Sequence, residues 1–330
     1  MLPDGRRLHL QHGPIDLIIE GFGTADEVRA AYLQATARFR PILDELVAEL
    51  PKLRVAVTGA PVDIAGPVAR RMVRACRPHA GVYLTPMAAV AGAVADEVLA
   101  AMLAGRTLER AYVNDGGDIA LHLAPGERFE IGVVAEIDRP RIAATATVEA
   151  AMPVRGIATS GRSGRSFSLG IADAVTALAG DGACADVAAT LIANAVNVDS
   201  PAIQRRRARS LQDDSDLGDL PVVVAVGPLS NGEIHAALNA GLAEAERMRT
   251  AGLIAGAFLS LRGRHRTTGP PALVAPAVAN VPRGGSGMQA AQTDARPAHS
   301  SAARRVAAGS ACARRPTGGP PAGSPRSSAT

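Results

Sequence analysis

The first candidate for chemistry is a turn at residues 114–118, where the sequence reads Asn-Asp-Gly-Gly-Asp. The paired glycines, Gly116 and Gly117, allow the backbone to take positive φ and to approach a ligand closely. The side chains of Asn114 and Asp118 add oxygen atoms that accept hydrogen bonds. The same residue types are also typical of the tight turn of a β-hairpin. Spacing alone favours the ordinary turn, so ligand binding here is a hypothesis.

A second candidate is the glycine-rich segment Gly156–Ser166, which includes Thr159, Ser160 and Gly161. The exposed N–H groups of such a loop form a cradle for anions, while its hydroxyl and arginine side chains suit phosphate. The segment has neither the lysine of a P-loop nor the GxGxxG spacing of a dinucleotide site. It also lacks the GxSxG elbow of serine hydrolases. An anion-binding loop and a plain flexible loop both stay open.

Asp186 and Thr190 form a third candidate within the run Ala-Asp-Val-Ala-Ala-Thr. Their i, i+4 spacing places a carboxylate and a hydroxyl on one face of a predicted helix. Hard oxygen ligands of this kind suit Mg²⁺, which proteins usually hold with one or two carboxylates plus water and substrate phosphate. The alternative is that Asp186 only stabilises the start of its helix, where a negative charge is favourable.

The order of these segments resembles the ApbE-like superfamily, which includes the FAD:protein FMN transferases. Members have a glycine-containing helix start, an Asn-x-Gly-Gly-Asp turn, a Thr-Ser-Gly loop and an Ala-Asp-Ala-x-Ala-Thr helix. The counterparts in this chain are Pro86–Asp96, Asn114–Asp118, Thr159–Gly161 and Ala185–Thr190. The resemblance covers roughly residues 80–200. The runs Pro86–Gly92 and Ser168–Thr176 resemble a short, uncharacterised branch of the superfamily.

The resemblance implies an α+β domain of mixed sheet and helices that binds FAD with Mg²⁺. In the transferases the metal activates the pyrophosphate, FMN passes to a threonine hydroxyl of a target protein, and AMP leaves. By position, Asp186 and Thr190 would be the metal ligands. The residues near the flavin nucleotide would be Asn114, Gly116, Gly117, Asp118, Thr159, Ser160 and Gly161. The partners implied are a flavin nucleotide and a flavoprotein target.

Some positions depart from the transferase pattern. Ala91 and Gly92 stand where the transferases have a Lys-Gly pair, although Asp96 matches their aspartate. Phe167 stands where a histidine is expected, in a segment that is shorter in this chain. Two interpretations follow. The first is a Mg²⁺-dependent enzyme that transfers FMN or acts as an FAD pyrophosphatase; the second is a non-catalytic flavin- or nucleotide-binding protein, or an assembly factor for a redox enzyme.

The hydrophobic pattern predicts the elements that position these residues. Two short strands are predicted in residues 6–20, and Thr24 is predicted to cap a helix that Pro41 kinks or divides. Further helices are predicted after Pro67, from Thr85, and over 185–196 and 232–249. Strands are predicted at 111–113, 119–123, 129–137, 143–148 and 174–178, with a buried strand at 220–226 and a closing strand at 253–261. Residues 201–219 are predicted to be a surface loop.

Composition divides the chain into an ApbE-like domain, residues 1–280, and a tail rich in Arg, Pro, Ser and Gly, residues 281–330. The tail cannot bury enough apolar surface to offset its ordering entropy, so it is predicted to be disordered. With seven arginines and one acid it carries a charge of +6, which leaves −2 on residues 1–280. An acidic body argues against nucleic-acid binding. A nucleic-acid-binding arm is the alternative for the tail, although it has no aromatic residue or lysine.

Cysteine usage and hydropathy predict the compartment. Cys76, Cys184 and Cys312 form no zinc-ligand or disulfide spacing, which fits a reducing environment. The N-terminus lacks the apolar core of a signal peptide. The most apolar stretch, Thr85–Gly105, contains adjacent acidic residues that would be costly in lipid, so it is predicted to be a packed helix. We therefore expect a cytoplasmic protein with no membrane or nucleic-acid partner; the oligomeric state is not indicated.

Overall fold

The computed structural model describes residues 1–135, 142–164, 166–270, 273–276 and 288–289. Its helices are α1 Ala25–Leu53, α2 Pro67–Cys76, α3 Val90–Leu103, α4 Gly182–Ala195 and α5 Asn231–Thr250. Its strands are β1 Leu8–His12, β2 Ile15–Phe22, β3 Arg110–Asp115, β4 Asp118–Leu123, β5 Arg128–Val134, β6 Ile142–Glu149, β7 Gly156–Ser160, β8 Ala174–Ala179, β9 Ile203–Arg207, β10 Pro221–Val226, β11 Gly256–Leu261, β12 Arg264–Thr268, β13 Val274–Pro276 and β14 Met288–Gln289. The predicted α+β class is confirmed.

The central element is an eight-stranded sheet with the order β1-β2-β3-β4-β7-β8-β11-β12. Each strand pairs antiparallel with its neighbours in this order. Strands β1 and β2 flank Gly13, and strands β3 and β4 flank the 114–118 turn, as their sequence patterns predict. Since side chains alternate along a strand, the sheet has two buried faces that are packed against different layers.

Helices cover the first face of the sheet. The N-terminus of α1 is capped by Thr24, whose hydroxyl accepts a hydrogen bond from the Glu27 N–H at 3.4 Å, as predicted. Of the two effects predicted for Pro41, the division is wrong, because α1 runs unbroken from Ala25 to Leu53, and the kink stays a prediction. Pro41 and Ala37, one turn before it, are exposed, so water can satisfy the carbonyl that proline leaves without a donor. Helices α3 and α4 pack on β3, β4, β7 and β8.

A second sheet covers the other face, with the order β13-β6-β5-β14. Its core includes Phe129, which makes edge-to-face contacts with Phe22 and Tyr112 at ring-centroid distances of 6.2 Å. Phe258 of β11 is also buried in this core. In a chain with five phenylalanines and three tyrosines, this layer concentrates the aromatic packing.

Two features of the C-terminal half differ from prediction. The 201–219 segment is not all loop, because β9 lies within it and pairs with β10 in a separate two-stranded sheet. The predicted burial of β10 is also wrong: Val222 is buried, but Val224 is 42% exposed. A two-stranded ribbon outside the main sheet leaves one face to solvent, which the valine-rich composition does not reveal. The main sheet does not end at β11, since β12 follows it.

Two further predictions concern the 281–330 segment and the apolar stretch that starts near Pro86. The range 281–330 lies outside the described residues except for Met288–Gln289, which pairs with β5, so its disorder stays a prediction. The stretch Pro86–Leu103 is long and apolar enough by composition to cross a membrane, with 56% of it buried inside the protein. Here it forms a short 3-10 turn, Pro86–Ala89, followed by α3 against the sheet.

Candidate functional site

The 114–118 segment forms the turn between β3 and β4 at one end of the large sheet. Gly116 and Gly117 have φ values of 64° and 114°, which glycine adopts without steric cost. The Asn114 side-chain oxygen accepts a hydrogen bond from the Gly117 N–H at 2.8 Å. Asn114 and Asp115 are buried. The turn is therefore held by its own side chains and directs Asp115 towards the helical layer.

Sheet register brings the second candidate segment beside this turn. Ile119 of β4 pairs with Ile157 of β7, so the start of β4 lies next to the end of β7. Asp118 accepts a hydrogen bond from the Thr159 N–H at 3.3 Å. The Thr159 hydroxyl lies 2.8 Å from the hydroxyl of Thr176 on β8. Two segments separated by about 40 residues in sequence are thus in direct contact.

The prediction of a loop is wrong for Thr159 and Ser160, which are the last residues of strand β7. Both residues pair with strand β8, although the composition of their segment is glycine-rich. The Thr159 N–H is taken by Asp118, and the N–H groups of Arg162 and Gly164 bind the carbonyl oxygens of Ala172 and Gly161. These three amides therefore have protein partners and do not form the exposed cradle that the anion-binding interpretation requires.

Asp173, which the sequence pattern does not single out, is a buried carboxylate beside the second candidate segment. Its carboxylate accepts hydrogen bonds from the Arg162 guanidinium at 2.8 and 3.1 Å and from the backbone N–H of Arg262. Gly161 packs so tightly here that a Cβ would lie 2.5 Å from the Asp173 carbonyl oxygen. The available signal was Arg162 in a glycine-rich segment, but its carboxylate partner lies eleven residues further along the chain.

The third candidate, Asp186, lies in the first turns of α4 and faces α3. Its carboxylate accepts a hydrogen bond from the Gly92 N–H at 3.1 Å. Asp96 of α3 makes the converse contacts, accepting hydrogen bonds from Gly182 and Ala183 of α4 at 2.8 and 2.9 Å. Asp96 is buried and Asp186 is partly buried. Thr190 is partly buried one helical turn beyond Asp186.

The pKa of Asp186 is affected by the charge of Asp115 in the 114–118 turn. Burial is the main cause that raises the pKa of Asp186 to about 7, and the negative charges of Asp115 and Asp96 add to it. The hydrogen bonds from the Gly92 and Ala91 N–H groups act in the opposite direction, because they favour the ionised carboxylate. The effect of Asp115 on the pKa of Asp186 indicates that the first and third candidate segments lie near one another.

The donor atoms available at this end fit a hard cation that keeps other ligands. Asp186 supplies a carboxylate, Thr190 a hydroxyl on the same helix face, and Asp115 a second negative charge nearby. A divalent cation would relieve the repulsion between the carboxylates. The described residues contain no group of three or more His, Cys, Asp or Glu side chains arranged to hold a metal. This set therefore suits Mg²⁺ with water and substrate phosphate better than a metal held by protein ligands alone.

Two cavities lie away from these residues. The larger, about 810 Å³, is lined by residues that include Glu20, Phe22 and Tyr32. Phe22 pairs with Arg110 while Leu17 pairs with Asp115, so this cavity is at the opposite end of the sheet from the turn. The smaller, about 350 Å³, lies around the connection between α1 and α2. Neither is lined by a residue predicted to bind flavin or metal.

Comparison with known proteins gives UPF0280 proteins among the similar sequences. A UPF0280 protein of Methanopyrus kandleri is 35% identical over 197 residues, which cover 58% of this chain and 76% of the relative. A UPF0280 protein of Methanothrix thermoacetophila is 34% identical over 164 residues, covering 49% of this chain and 66% of the relative.

Solved structures with a similar arrangement include two flavin transferases. The apo flavinyl transferase ApbE of Pseudomonas stutzeri is 14% identical, covers 81% of this chain and 94% of its own, and has a TM-score of 0.42. A mutant of flavin transferase ApbE from Vibrio cholerae is also 14% identical, covers 81% and 98%, and has a TM-score of 0.44.

A protein-family model provides the decisive comparison. The model, described as AbpE bacteria, matches residues 1–267. The match includes all three candidate segments and every strand of the large sheet except the last residue of β12. The chain therefore belongs to this bacterial AbpE family, within the ApbE-like superfamily that the order of its motifs predicts.

Proposed function

We propose that this protein uses FAD in a Mg²⁺-dependent reaction that transfers FMN to a threonine hydroxyl of a flavoprotein target and releases AMP. The single observation that supports this most is the meeting of three segments at one end of the sheet. Asp118 of the turn binds Thr159 of β7, and Asp115 of the same turn interacts electrostatically with Asp186 of α4. Membership of the ApbE-like superfamily is the second support.

In this proposal each segment has a distinct role. Asp186 and Thr190 hold the cation through hard oxygen atoms on one helix face. When bound, Mg²⁺ neutralises phosphate charge and aligns the leaving group. The 114–118 turn and Thr159–Gly161 line the nucleotide. The phosphate–phosphate linkage of FAD breaks, a phosphoester forms at the acceptor threonine, AMP leaves, and the hydroxyl proton passes to solvent.

A second candidate function is flavin binding without transfer, as in a carrier or an assembly factor for a redox enzyme. Two residue types favour it. Ala91 stands where the transferases have lysine, so that position supplies no charge for phosphate. Phe167 stands where they have histidine, so that position supplies no group to move a proton. Hydrolysis of FAD to FMN and AMP is the alternative enzymatic reaction, and it needs no protein acceptor.

Product analysis separates these functions. The full-length protein is incubated with FAD and Mg²⁺, with and without a peptide that carries a candidate acceptor threonine, and AMP, free FMN and flavinylated peptide are measured. Asp186→Ala is expected to lower AMP release at least tenfold. Asp44→Ala serves as the matched control, because it removes an exposed carboxylate of α1 and should leave AMP release unchanged.

Each outcome assigns one function. AMP with flavinylated peptide supports transfer, and AMP with free FMN alone supports hydrolysis. Tight FAD binding without AMP release would contradict the proposed enzymatic activity and would support flavin binding without transfer. Equal AMP release in the Asp186→Ala and wild-type proteins would contradict the role of Asp186.

We also propose a cytoplasmic location. Cys76 and Cys184 are free thiols, as expected in a reducing compartment. The acidic charge of residues 1–280 supports the absence of a nucleic-acid partner. Cell fractionation tests the location, with recovery in the soluble cytoplasmic fraction expected. Recovery in a membrane fraction after a high-salt wash would contradict it.

A further inference from the structure

The starts of α3 and α4 share a five-residue pattern, Gly-Ala-x-Ala-Asp. In α3 it occupies Gly92–Asp96, and in α4 it occupies Gly182–Asp186. The i, i+4 spacing puts the glycine and the aspartate on the same face of each helix. In both helices that face is turned towards the other helix.

The aspartate of each helix accepts hydrogen bonds from the start of the other helix. Asp96 of α3 accepts hydrogen bonds from Gly182 and Ala183, the first two residues of α4. Asp186 of α4 accepts a hydrogen bond from Gly92, near the start of α3. The first N–H groups of a helix have no partner within it, and they carry partial positive charge. Each helix therefore supplies the carboxylate that satisfies the start of the other.

The two glycines allow these hydrogen bonds, because the helices meet at backbone distance. A Cβ atom on Gly92 would lie 2.2 Å from the Gly182 carbonyl oxygen, and one on Gly182 would lie 2.9 Å from the Gly92 carbonyl oxygen. A side chain at Gly92 would meet rigid backbone, so the helices would have to separate. Separation would break the Asp96 and Asp186 hydrogen bonds together.

We propose that Asp96 is a positioning residue for Asp186. By binding the first two N–H groups of α4, Asp96 fixes the helix that carries Asp186 and Thr190, and so holds the Asp186 carboxylate against Gly92. Asp96 acts only through α4 and needs no contact with the cation. The part of this inference that concerns metal affinity rests on the proposed function; the coupling between the two aspartates does not.

Asp181 provides a matched control at the same helix end. It is the N-cap of α4, and its carboxylate accepts a hydrogen bond from the Cys184 N–H at 2.8 Å. Asp181 also forms an ion pair with Arg74 of α2 at 3.1 Å. Its removal weakens the start of α4 without cutting the link from Asp96, so it distinguishes a general loss of helix stability from a loss of positioning.

The experiment compares Asp96→Ala, Asp96→Glu and Asp181→Ala with the wild-type full-length chain. The first readout is hydrogen exchange of the Gly92 amide, which Asp96 does not contact. We expect protection of this amide to fall about tenfold or more in both Asp96 variants, and to stay within about twofold of wild type in Asp181→Ala. The second readout is Mn²⁺ affinity by calorimetry, with a loss of about 10- to 100-fold expected in both Asp96 variants, as for other residues that orient metal ligands.

The Asp96→Glu variant separates position from charge. It keeps the negative charge near Asp186 but lengthens the side chain, so wild-type Mn²⁺ affinity in this variant would show that charge alone matters and would overturn the proposal. Unchanged Gly92 protection in folded Asp96→Ala would also overturn it. If wild-type protein binds no Mn²⁺ while Gly92 protection falls in the Asp96 variants, the positioning role stands and the proposed metal function fails.

Discussion

The two faces of the eight-stranded sheet are packed in opposite ways. On the helical face, α3 and α4 meet through glycine and alanine, at distances that leave no room for a Cβ on Gly92. On the other face, Phe129, Tyr112 and Phe258 fill the space between two sheets. Small residues bring backbone N–H groups within reach of carboxylates, while large apolar residues stabilise through buried area. The comparison assigns the close approach of α3 and α4 to the helical face and the packing of large rings to the aromatic face.

The two faces also differ in charge. The helical face holds Asp96, Asp115 and Asp186 in buried or partly buried positions, at the start of two helices or facing them. On the aromatic face, Tyr112 donates a hydrogen bond to buried Glu20, whose other oxygen lies 3.6 Å from Arg6. Three carboxylates near one another are costly unless hydrogen bonds or a cation compensate them. This cost supports the proposed cation site beside Asp186.

The largest expected effect is on the aromatic face. Phe129→Ala should lower the free energy of unfolding by about 3–5 kcal/mol, because it removes a buried ring packed against Phe22 and Tyr112. Chemical denaturation measures this loss. Below the unfolding transition, Mn²⁺ affinity should match that of the wild-type protein. A tenfold loss of affinity in the folded variant would contradict the division between the faces.

Gly92→Ala tests the helical face, with an expected loss of about 2–3 kcal/mol from overpacking. In contrast with Phe129→Ala, it should also weaken Mn²⁺ binding while the protein is still folded. Gly180→Ala is the matched control, because it lies just before α4 and a Cβ there meets nothing within 4 Å. Equal effects of the two substitutions would show that the close approach of the helices is not what matters.

The third prediction concerns the pH dependence of stability. Burial is the main cause that raises the pKa of Asp96 to about 6, above its ordinary value of 3.8. The folded state therefore binds more protons than the unfolded state between these values, and the free energy of unfolding falls as pH rises through about 6. We expect a decrease of about 1 kcal/mol from this group between pH 5 and pH 7.

Denaturation at a series of pH values checks this sign. Asp96→Asn should flatten the curve, and Phe129→Ala should lower it without changing its slope. Since Asp186 has a raised pKa as well, part of the slope should survive in Asp96→Asn. A wild-type stability that rises steadily between pH 5 and pH 7 would contradict the assignment of buried carboxylates to the helical face.

Local patterns in the sequence predict the features that depend on neighbouring residues. Paired glycines predict the turn at 114–118, and Thr24 predicts the start of α1. Residues Thr159 and Ser160 were predicted as loop because glycine dominates their segment, although pairing with β4 and β8 makes them strand. The hydrogen bonds of Asp96 and Asp186 join two helices whose aspartates are 90 residues apart in sequence. No local pattern encodes that contact, even though the repeated Gly-Ala-x-Ala-Asp can be read directly.

We propose that FAD binds together with Mg²⁺ at the end of the sheet that carries the 114–118 turn, and calorimetric titration of the full-length protein with FAD measures this binding. We expect binding that requires Mg²⁺ and that weakens at least tenfold in Asp186→Ala but not in Asp44→Ala. Absence of FAD binding by the wild-type protein, with and without Mg²⁺, would contradict it.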